Sequence, residues 1–173
     1  MGLFINKNML QHKEQKVGVF VDVQNLYYSA KNLHQSKVNF GKLLQHIVAG
    51  RRLIRAIAYV IRGPQSVDDN FFQALSKQGF EIKAKDLQVF TGGNKKGDWD
   101  VGLTIDAVKM SQALDAIILV TGDGDYIPAV EYLQNHGVIV EVAAFEETCS
   151  SKLREKADNF INISSLKKKF LIK

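Results

Sequence analysis

Short apolar runs alternate with amphipathic segments along most of this chain of 173 residues. The apolar runs are rich in β-branched residues and are bounded by turn residues, as is typical of strands. They cover residues 17–21, 53–61, 80–82 with 87–90, 116–120 and 138–143, and a short run at 160–163 follows them. The segments between them have apolar residues at helical spacing. These predicted helices are 24–33, 40–49, 67–78, 99–113 and 126–136, with a short one at 152–157.

The alternation of strand and helix predicts an α/β fold. Strands separated by helices pair in parallel, and nearly continuous apolar strands are typical of a sheet that is covered on both faces. We therefore predict three layers, with a mostly parallel central sheet of five to six strands between helices on both faces. We expect residues 17–164 to form this domain, residues 1–16 to form a flexible arm, and residues 165–173 to form a basic tail.

Composition supports one globular domain, because 46% of the residues are hydrophobic and 24% are charged. No apolar run reaches membrane-spanning length, and the first residues lack the pattern of a signal peptide. We therefore expect a cytoplasmic protein without membrane contact. The single cysteine, Cys149, cannot form an internal disulfide, which fits a reducing compartment, and we expect it to be a buried, inert thiol.

The net charge of +5 is a mild positive excess, which is compatible with a polyanionic partner. The positive charge is concentrated in three places along the chain. They are Arg51, Arg52, Arg55 and Arg62; Lys95 and Lys96; and the lysines of the C-terminal tail, which we expect to be solvated.

Aspartates follow two of the predicted strands. Asp22 ends the first strand, and the sequence Val-Thr-Gly-Asp-Gly-Asp at 120–125 places Asp123 and Asp125 after the most apolar one. Because ligands bind outside the carboxyl ends of parallel strands, we expect these carboxylates to lie close together. Grouped carboxylates repel one another unless a cation lies among them. A cluster without histidine or cysteine favours Mg²⁺ or Mn²⁺ over zinc.

Each aspartate also has a structural interpretation. Asp125 is either a metal ligand or the N-cap of the following helix. A carboxylate at the end of an apolar strand is costly without a partner, so we favour a functional role for Asp22. Asp98 and Asp100 lie where acids also stabilise the first turn of a helix, and we favour Asp100 as the site residue. Asp106 lies six residues further on and does not share a helix face with Asp100.

Three sequence blocks together resemble the NYN domain in its bacterial LabA-like branch. They are Asp-Val-Gln-Asn-Leu at 22–26, Lys-Gly-Asp-Trp-Asp-Val-Gly-Leu-Thr-Ile-Asp at 96–106, and Val-Thr-Gly-Asp-Gly-Asp-Tyr at 120–126, and the resemblance covers residues 17–163. It implies a PIN-like, Rossmann-like fold and a metal-dependent ribonuclease. The acidic metal site that it implies consists of Asp22, Asp100, Asp123 and Asp125, with Asn25 beside them and Asp106 as a further acid of the helix. The chain departs from the family at Asp98, where an apolar residue is usual.

The predicted activity is hydrolysis of RNA, single-stranded or structured, by water that carboxylate-bound Mg²⁺ or Mn²⁺ activates. Asn25 either orients the water or phosphate, or caps the helix that begins near Gln24. Lys95 and Lys96 are candidates for binding phosphates, unless their loop is simply solvated. The aromatic residues Tyr27, Tyr28 and Trp99 either stack on unpaired bases or belong to the core.

Two other functions remain open. A catalytically inactive RNA-binding or scaffold module on the same fold would retain the same acids. A phosphatase similar to the haloacid dehalogenases is a weaker alternative, because Gln24 occupies the position where that chemistry needs a second aspartate. A homodimer is compatible with the sequence.

Overall fold

The structure is a computed structural model that describes residues 11–63, 69–93 and 95–172. Its strands are β1 (Lys16–Asp22), β2 (Lys37–Val38), β3 (Arg52–Arg62), β4 (Glu81–Asp86), β5 (Gln88–Val89), β6 (Lys95–Lys96), β7 (Ala116–Val120), β8 (Ile139–Ala144), β9 (Asn159–Asn162) and β10 (Leu171–Ile172). Its helices are α1 (Val23–His34), α2 (Phe40–Val48), α3 (Asp69–Lys77), α4 (Asp100–Met110), α5 (Ile127–Asn135), α6 (Ser151–Lys156) and α7 (Lys167–Phe170).

The central sheet has six strands in the order β4-β3-β1-β7-β8-β9. Every neighbouring pair is parallel, so each connection crosses over one face of the sheet. The chain runs from β1 outward to β3 and β4, and then from β7 outward to β8 and β9 on the other side. The strand order therefore reverses between β1 and β7, which is where open parallel sheets bind ligands. The predicted three-layer α/β fold is confirmed.

Apolar side chains cover both faces of this sheet. On β1, Val19 and Val21 belong to one core cluster and Phe20 to the other, as the alternation of side chains along a strand requires. The first cluster includes residues of α1, α2, α3 and α7, and the second includes residues of α4, α5 and α6. Each fully buried side chain of this size stabilises the fold by about 1.5–3 kcal/mol relative to an exposed one.

The ends of the domain are packed in their described parts. Residues 1–10 of the predicted arm lie outside the described residues, but the side chain of Gln11 donates to Glu141 and Gln15 is buried. In the segment predicted as a basic tail, α7 places Phe170 in the first core cluster, and β10 pairs antiparallel with β2. This segment is therefore folded through residue 172. The buried side chain of Phe170 holds the lysines that precede it against the domain.

The boundaries of most other elements agree closely with the predicted segments, but β4 runs through residues 83–86, which the predicted run at 80–82 with 87–90 left out. The start of the helix predicted at 67–78 falls on residues 64–68, which the structure does not describe. Residues 88–89 form β5, which pairs antiparallel with β6 in a small separate sheet and does not extend the central one. None of the helices in the described ranges is long and apolar enough to cross a membrane.

Candidate active site

Asp22 lies where β1 ends and α1 begins. One carboxylate oxygen, Oδ1, accepts a hydrogen bond from the backbone N–H of Asn25 at 3.2 Å, which makes Asp22 the N-cap of α1. The other oxygen accepts from the hydroxyl of Thr121 at 3.4 Å. Helix capping and a contact with the neighbouring strand thus fix the direction in which this carboxylate points.

The loop after β7 is organised by its own polar side chains. The buried hydroxyl of Thr121 accepts from the backbone N–H of Asp123 at 3.2 Å. Asp123 Oδ1 accepts from the backbone N–H of Asp125 at 2.9 Å and caps the short 3-10 turn Gly124–Tyr126. The interpretation of Asp125 as a helix cap is not supported, because Asp123 caps the 3-10 turn and the N-cap position of α5 is Tyr126, which makes no side-chain capping bond. The exposed carboxylate of Asp125 is left at the rim of the site.

Asn25 connects the two parts of the site. Its side-chain oxygen accepts from the backbone N–H of Gly122 at 2.9 Å. This bond joins the first turn of α1 to the loop after β7. One interpretation of the sequence made Asn25 the cap of α1, but the N-cap is Asp22. Asn25 also lines the cleft above the sheet.

Helix α4 begins at the same place and contributes Asp100 as its first residue. The phenol of Tyr126, which is 1% exposed, donates to Asp100 Oδ1 at 3.1 Å. One carboxylate oxygen from each of Asp100, Asp123 and Asp125 lies within 4.8 Å of the other two. Two segments that are distant in sequence therefore converge on one acidic cluster at the carboxyl edge of the sheet.

Burial and mutual repulsion raise the pKa of two of these acids. The pKa of Asp22 is raised to about 6, mainly by burial and further by the negative charges of Asp100 and Asp123, against the opposing hydrogen bonds from Asn25 and Thr121. Burial also raises the pKa of Asp100, and the charge of Asp123 adds to the effect. Repulsion of this kind arises because the carboxylates lie close to one another.

The donor set fits a hard divalent cation. In the described part of the chain, no lysine or arginine forms an ion pair with any of the four aspartates. Carboxylate oxygens grouped without nitrogen or sulfur ligands are typical of Mg²⁺ and Mn²⁺ sites. The cluster opens into a cleft of about 300 Å³. Its lining residues include Asp22, Gln24, Asn25, Tyr28, Asn32, Asp98, Trp99, Asp100 and Asp123.

The structure does not bring Asp106 to this cluster. Its Oδ2 accepts from the Tyr59 hydroxyl at 2.8 Å and from Lys83 Nζ at 2.5 Å. Burial acts to raise the pKa of Asp106, but the hydrogen bonds from Lys83 and Tyr59 and the nearby positive charges together lower it. Asp106 therefore connects α4 to β3 and β4, as expected for a residue that does not share a helix face with Asp100.

The predicted RNA-binding aromatic residues differ in their surroundings. The Trp99 indole donates to the carbonyl oxygen of Val60 at 2.8 Å and packs against Tyr59, and Lys85 Nζ lies 4.4 Å from its ring centroid. Tyr28 is 51% exposed and stands in the cleft. Trp99 is thus partly held by packing, whereas Tyr28 is open to a ligand.

Three further residues with expected roles are Lys95, Lys96 and Cys149. Lys95 and Lys96 form β6, and their side chains lie outside the described part of the structure. Cys149 is half-buried, and burial raises the pKa of its thiol. A thiol with a raised pKa forms little thiolate at neutral pH, which agrees with the expected low reactivity.

Sequence patterns did not assign a role in the site to Thr121 or Tyr126. At Gly122, the structure adds a packing reason for glycine, because a Cβ there would lie 3.0 Å from the Thr148 carbonyl oxygen and from Cys149 Cα. Tyr126 directly follows the two aspartates, but an aromatic residue at the start of an apolar helix usually belongs to the core. The Tyr126 ring is buried in the core, and its hydroxyl also holds Asp100 in the site.

Comparison with known proteins agrees with this geometry. The sequence profile of the NYN domain matches residues 16–164. The chain belongs to the NYN domain family. This family has a PIN-like nuclease fold, and its members are generally nucleases that act with divalent metal ions on RNA.

The chain is also similar to individual proteins along most of its length. Low amplitude and bright protein LabA of Synechococcus elongatus is 23% identical over 163 residues, which are 90% of this chain and 87% of LabA. An uncharacterized protein of Methanocaldococcus jannaschii is 27% identical over 157 residues, which are 87% of this chain but 56% of that protein. A crystal structure of a protein of unknown function from Vibrio parahaemolyticus superposes with a TM-score of 0.84 at 32% identity, covering 94% of this chain and 99% of that one.

Proposed function

We propose that this protein is a metal-dependent ribonuclease whose acidic centre consists of Asp22, Asp100, Asp123 and Asp125. The observation that carries the proposal is the convergence of Asp100, Asp123 and Asp125, whose oxygens lie within 4.8 Å of one another in a nuclease-type fold. These three residues come from two different crossover connections, so the cluster does not follow from local helix capping alone. Asp22 borders the same cleft from the neighbouring strand.

The protein's own residues hold this centre before any ligand binds. Asp22 is oriented by Asn25 N–H and the Thr121 hydroxyl, and Asp100 is oriented by the Tyr126 phenol. Groups that are fixed in advance avoid the entropic cost of ordering during the reaction. Bound Mg²⁺ or Mn²⁺ would supply Lewis acidity toward the phosphodiester and lower the pKa of the attacking water.

RNA is the proposed substrate. The half-exposed ring of Tyr28 lies in the acidic cleft, where it can stack on an unpaired base, and Trp99 lines the same cleft. Lys95 and Lys96 precede Asp98 and Asp100 in sequence, and we propose that they bind phosphates of the strand. Cleavage needs no nucleophilic side chain, because water attacks the phosphorus atom.

The first prediction is that cleavage depends on a divalent ion and on the acidic cluster. End-labelled single-stranded RNA should be cut by the pure protein with Mn²⁺ or Mg²⁺, left intact with EDTA, and cut again when excess Mn²⁺ is restored. Asp123→Asn should lose this activity. Asp86→Asn is the matched control, because the Asp86 side chain is 82% exposed and lies outside the cleft.

Two results would contradict the proposal. Products that form equally well in EDTA would exclude the metal mechanism, and full activity in Asp123→Asn would exclude the cluster. Tight RNA binding without any product would support a non-catalytic RNA-binding module on this fold.

A further inference from the structure

A second cleft adjoins the acidic one along helix α1. It has a volume of about 480 Å³. It is lined by Tyr27, Lys31, Asn32, Gln35, Ser36 and Lys37. Asn32 lines both clefts, so the two are neighbours on either side of this residue.

The spacing of residues on α1 explains why the two clefts are neighbours. Gln24, Tyr28 and Asn32 follow one another at intervals of four residues and line the acidic cleft in a single row. Eight residues of helix correspond to a length of about 12 Å. Tyr27 and Lys31 form the adjacent row in the second cleft. Helix α1 therefore presents a polar and aromatic surface that leads away from the acidic cluster.

The aromatic residues of this surface are not needed for the core. Tyr27 and Tyr28 are 45% and 51% exposed, whereas α1 buries Val23, Leu26 and Ala30 on its other side. The two tyrosine rings meet edge to face with their centroids 5.4 Å apart, which holds both rings in place. An ordered, exposed aromatic pair beside a cleft is available to stack on a planar ligand.

The charge of the second cleft is opposite to that of the first. Lys31 and Lys37 are exposed, and neither forms an ion pair with a described residue. Lys31 Nζ lies 5.9 Å from the centroid of the Tyr27 ring. Lys37 lies on β2 opposite Ile172 of β10. Strand β10 directly follows the lysine-containing helix α7. Unpaired lysines beside an exposed aromatic ring are the usual means of binding single-stranded nucleic acid.

We propose that the second cleft is a subsite for single-stranded RNA, in which Tyr27 stacks on an unpaired base and Lys31 and Lys37 bind phosphates. The proposal rests on the proposed ribonuclease function, because it assigns this subsite to the part of the strand that lies beyond the bond to be cut. It also restricts the preferred substrate to unpaired RNA, since a base in a duplex cannot stack on Tyr27. A strand along α1 would pass Tyr28 and Asn32 between the two clefts.

The test measures binding without cleavage. The probe is a fluorescein-labelled oligouridine of twelve nucleotides, and its anisotropy is titrated with protein in EDTA over a range of salt concentrations. Tyr27→Ala should weaken binding about tenfold, the loss expected for one stacked base. Lys31→Gln/Lys37→Gln should lower the slope of log K against log salt by about 1.4, which corresponds to two phosphate contacts on a single strand.

Matched controls separate this subsite from general surface effects. Tyr132→Ala removes a tyrosine with a similar exposed fraction, 44%, from α5 in the layer on the opposite face of the sheet. Lys77→Gln/Lys109→Gln removes two other exposed lysines. Neither control should change affinity or salt slope. Tyr27→Trp keeps a stacking surface and should bind at least as tightly as the unmodified protein, which excludes misfolding as the cause of the loss in Tyr27→Ala.

The outcomes distinguish the two proposals. If Tyr27→Ala and the lysine variant bind oligouridine as the controls do, the subsite is wrong even when RNA is cut with Mn²⁺. If their binding falls as expected and Mn²⁺ yields no product, the subsite stands and the ribonuclease function fails. A duplex of the same length should bind more weakly than oligouridine, and a preference for duplex would overturn the proposal.

Discussion

At the scale of single residues, two aspartates of the same segment have different roles. Asp98 and Asp100 both line the acidic cleft, but only Asp100 is held by the Tyr126 phenol and lies within the cluster of three carboxylates. We expect Asp100→Asn to lower the rate of RNA cleavage by more than about 100-fold, the largest loss typical of residues that merely orient metal ligands. Asp98→Asn should lower it by less than about tenfold. Single-turnover rates with Mn²⁺ measure both, and the reverse ranking would reassign the ligand.

Asp22 gives a prediction about stability and pH. Its pKa is about 6 in the folded protein against an ordinary value of 3.8. Because the folded state binds this proton more tightly than the unfolded state, the free energy of unfolding falls as pH rises from about 4 to 6, and the full cost is present at neutral pH. Asp22→Asn keeps an N-capping oxygen without the charge. In EDTA at pH 7.5 it should therefore melt higher than the unmodified protein, with a gain on the order of 2–3 kcal/mol.

Two further melts serve as controls for the Asp22 prediction. At pH 4 most of the gain should disappear, because Asp22 is then protonated in the folded protein and close to half protonated in the unfolded one. Added Mn²⁺ should stabilise the unmodified protein more than Asp22→Asn, since an ion that binds only the folded state stabilises it by mass action. A variant that melts lower in EDTA at pH 7.5 would show that Asp22 is a structural acid.

Sequence reasoning located the carboxylates but not the groups that orient them. Asp22, Asp123 and Asp125 could be placed together because parallel strands bring their carboxyl ends to one edge. The contact between Tyr126 and Asp100 joins two crossover connections, and no periodicity along the chain encodes it. The ion pair between Asp106 and Lys83 also joins two distant segments, so the sequence pattern did not predict it.

At the scale of elements, length decides what the pattern can predict. Five strands of the central sheet, β1, β3, β7, β8 and β9, match predicted apolar runs to within one residue at each end. Strand β4 has the polar sequence Glu-Ile-Lys-Ala-Lys-Asp, and only its residues 81–82 fall in a predicted run. Strands β2, β5, β6 and β10 have two residues each, which is too short for any alternation to be visible. Helix α7 lies in a run of lysines and forms around one buried residue, Phe170, so tertiary packing overrides its polar composition.

The loop after β7 packs closely at Gly122 against the backbone of Thr148 and Cys149. A Cβ on Gly122 would lie 3.0 Å from the Thr148 carbonyl oxygen, and backbone atoms cannot move aside as a flexible side chain can. Gly122→Ala should therefore destabilise the fold by about 1–3 kcal/mol, as overpacking does. It should also reduce cleavage, because displacement of this loop moves Asp123. Gly63→Ala is the control, since its Cβ would meet no atom of the described residues within 4 Å. Equal urea midpoints for the two variants would contradict the expected close packing.

At the scale of the whole molecule, one buried ion pair joins distant parts of the chain. Arg51 and Glu141 have side chains that are both 1% exposed, although the sequence analysis grouped Arg51 with Arg52, Arg55 and Arg62 as a concentration of positive charge. The guanidinium also donates to Gln15 at 2.9 Å and to the carbonyl oxygen of Ile47 at 2.7 Å. Glu141 accepts from Asn159 at 3.2 Å. The pair thus links the first described residues, the end of α2, and the strands β8 and β9.

Removal of one member of this pair should be costly. Arg51→Met leaves the Glu141 carboxylate buried without its counter-charge, and we expect a loss of about 3–5 kcal/mol in the free energy of unfolding. A loss of this size is a large part of the roughly 5–15 kcal/mol that stabilises a typical domain. Lys156→Met is the matched control, because its pair with Glu131 has side chains that are 41% and 50% exposed, and it should cost less than about 1 kcal/mol.

A double-mutant cycle separates the interaction from the penalty for burying a charge alone. Arg51→Met/Glu141→Leu removes both charges, so its destabilisation should be smaller than the sum of the two single losses, with a coupling of about 0.5–3 kcal/mol. Some loss should remain, because Asn159 and Gln15 also lose a hydrogen-bond partner. Urea unfolding at pH 7.5 gives all four free energies. Additive losses would show that Arg51 and Glu141 stabilise the fold independently, and the linkage of these distant segments would then depend on apolar packing alone.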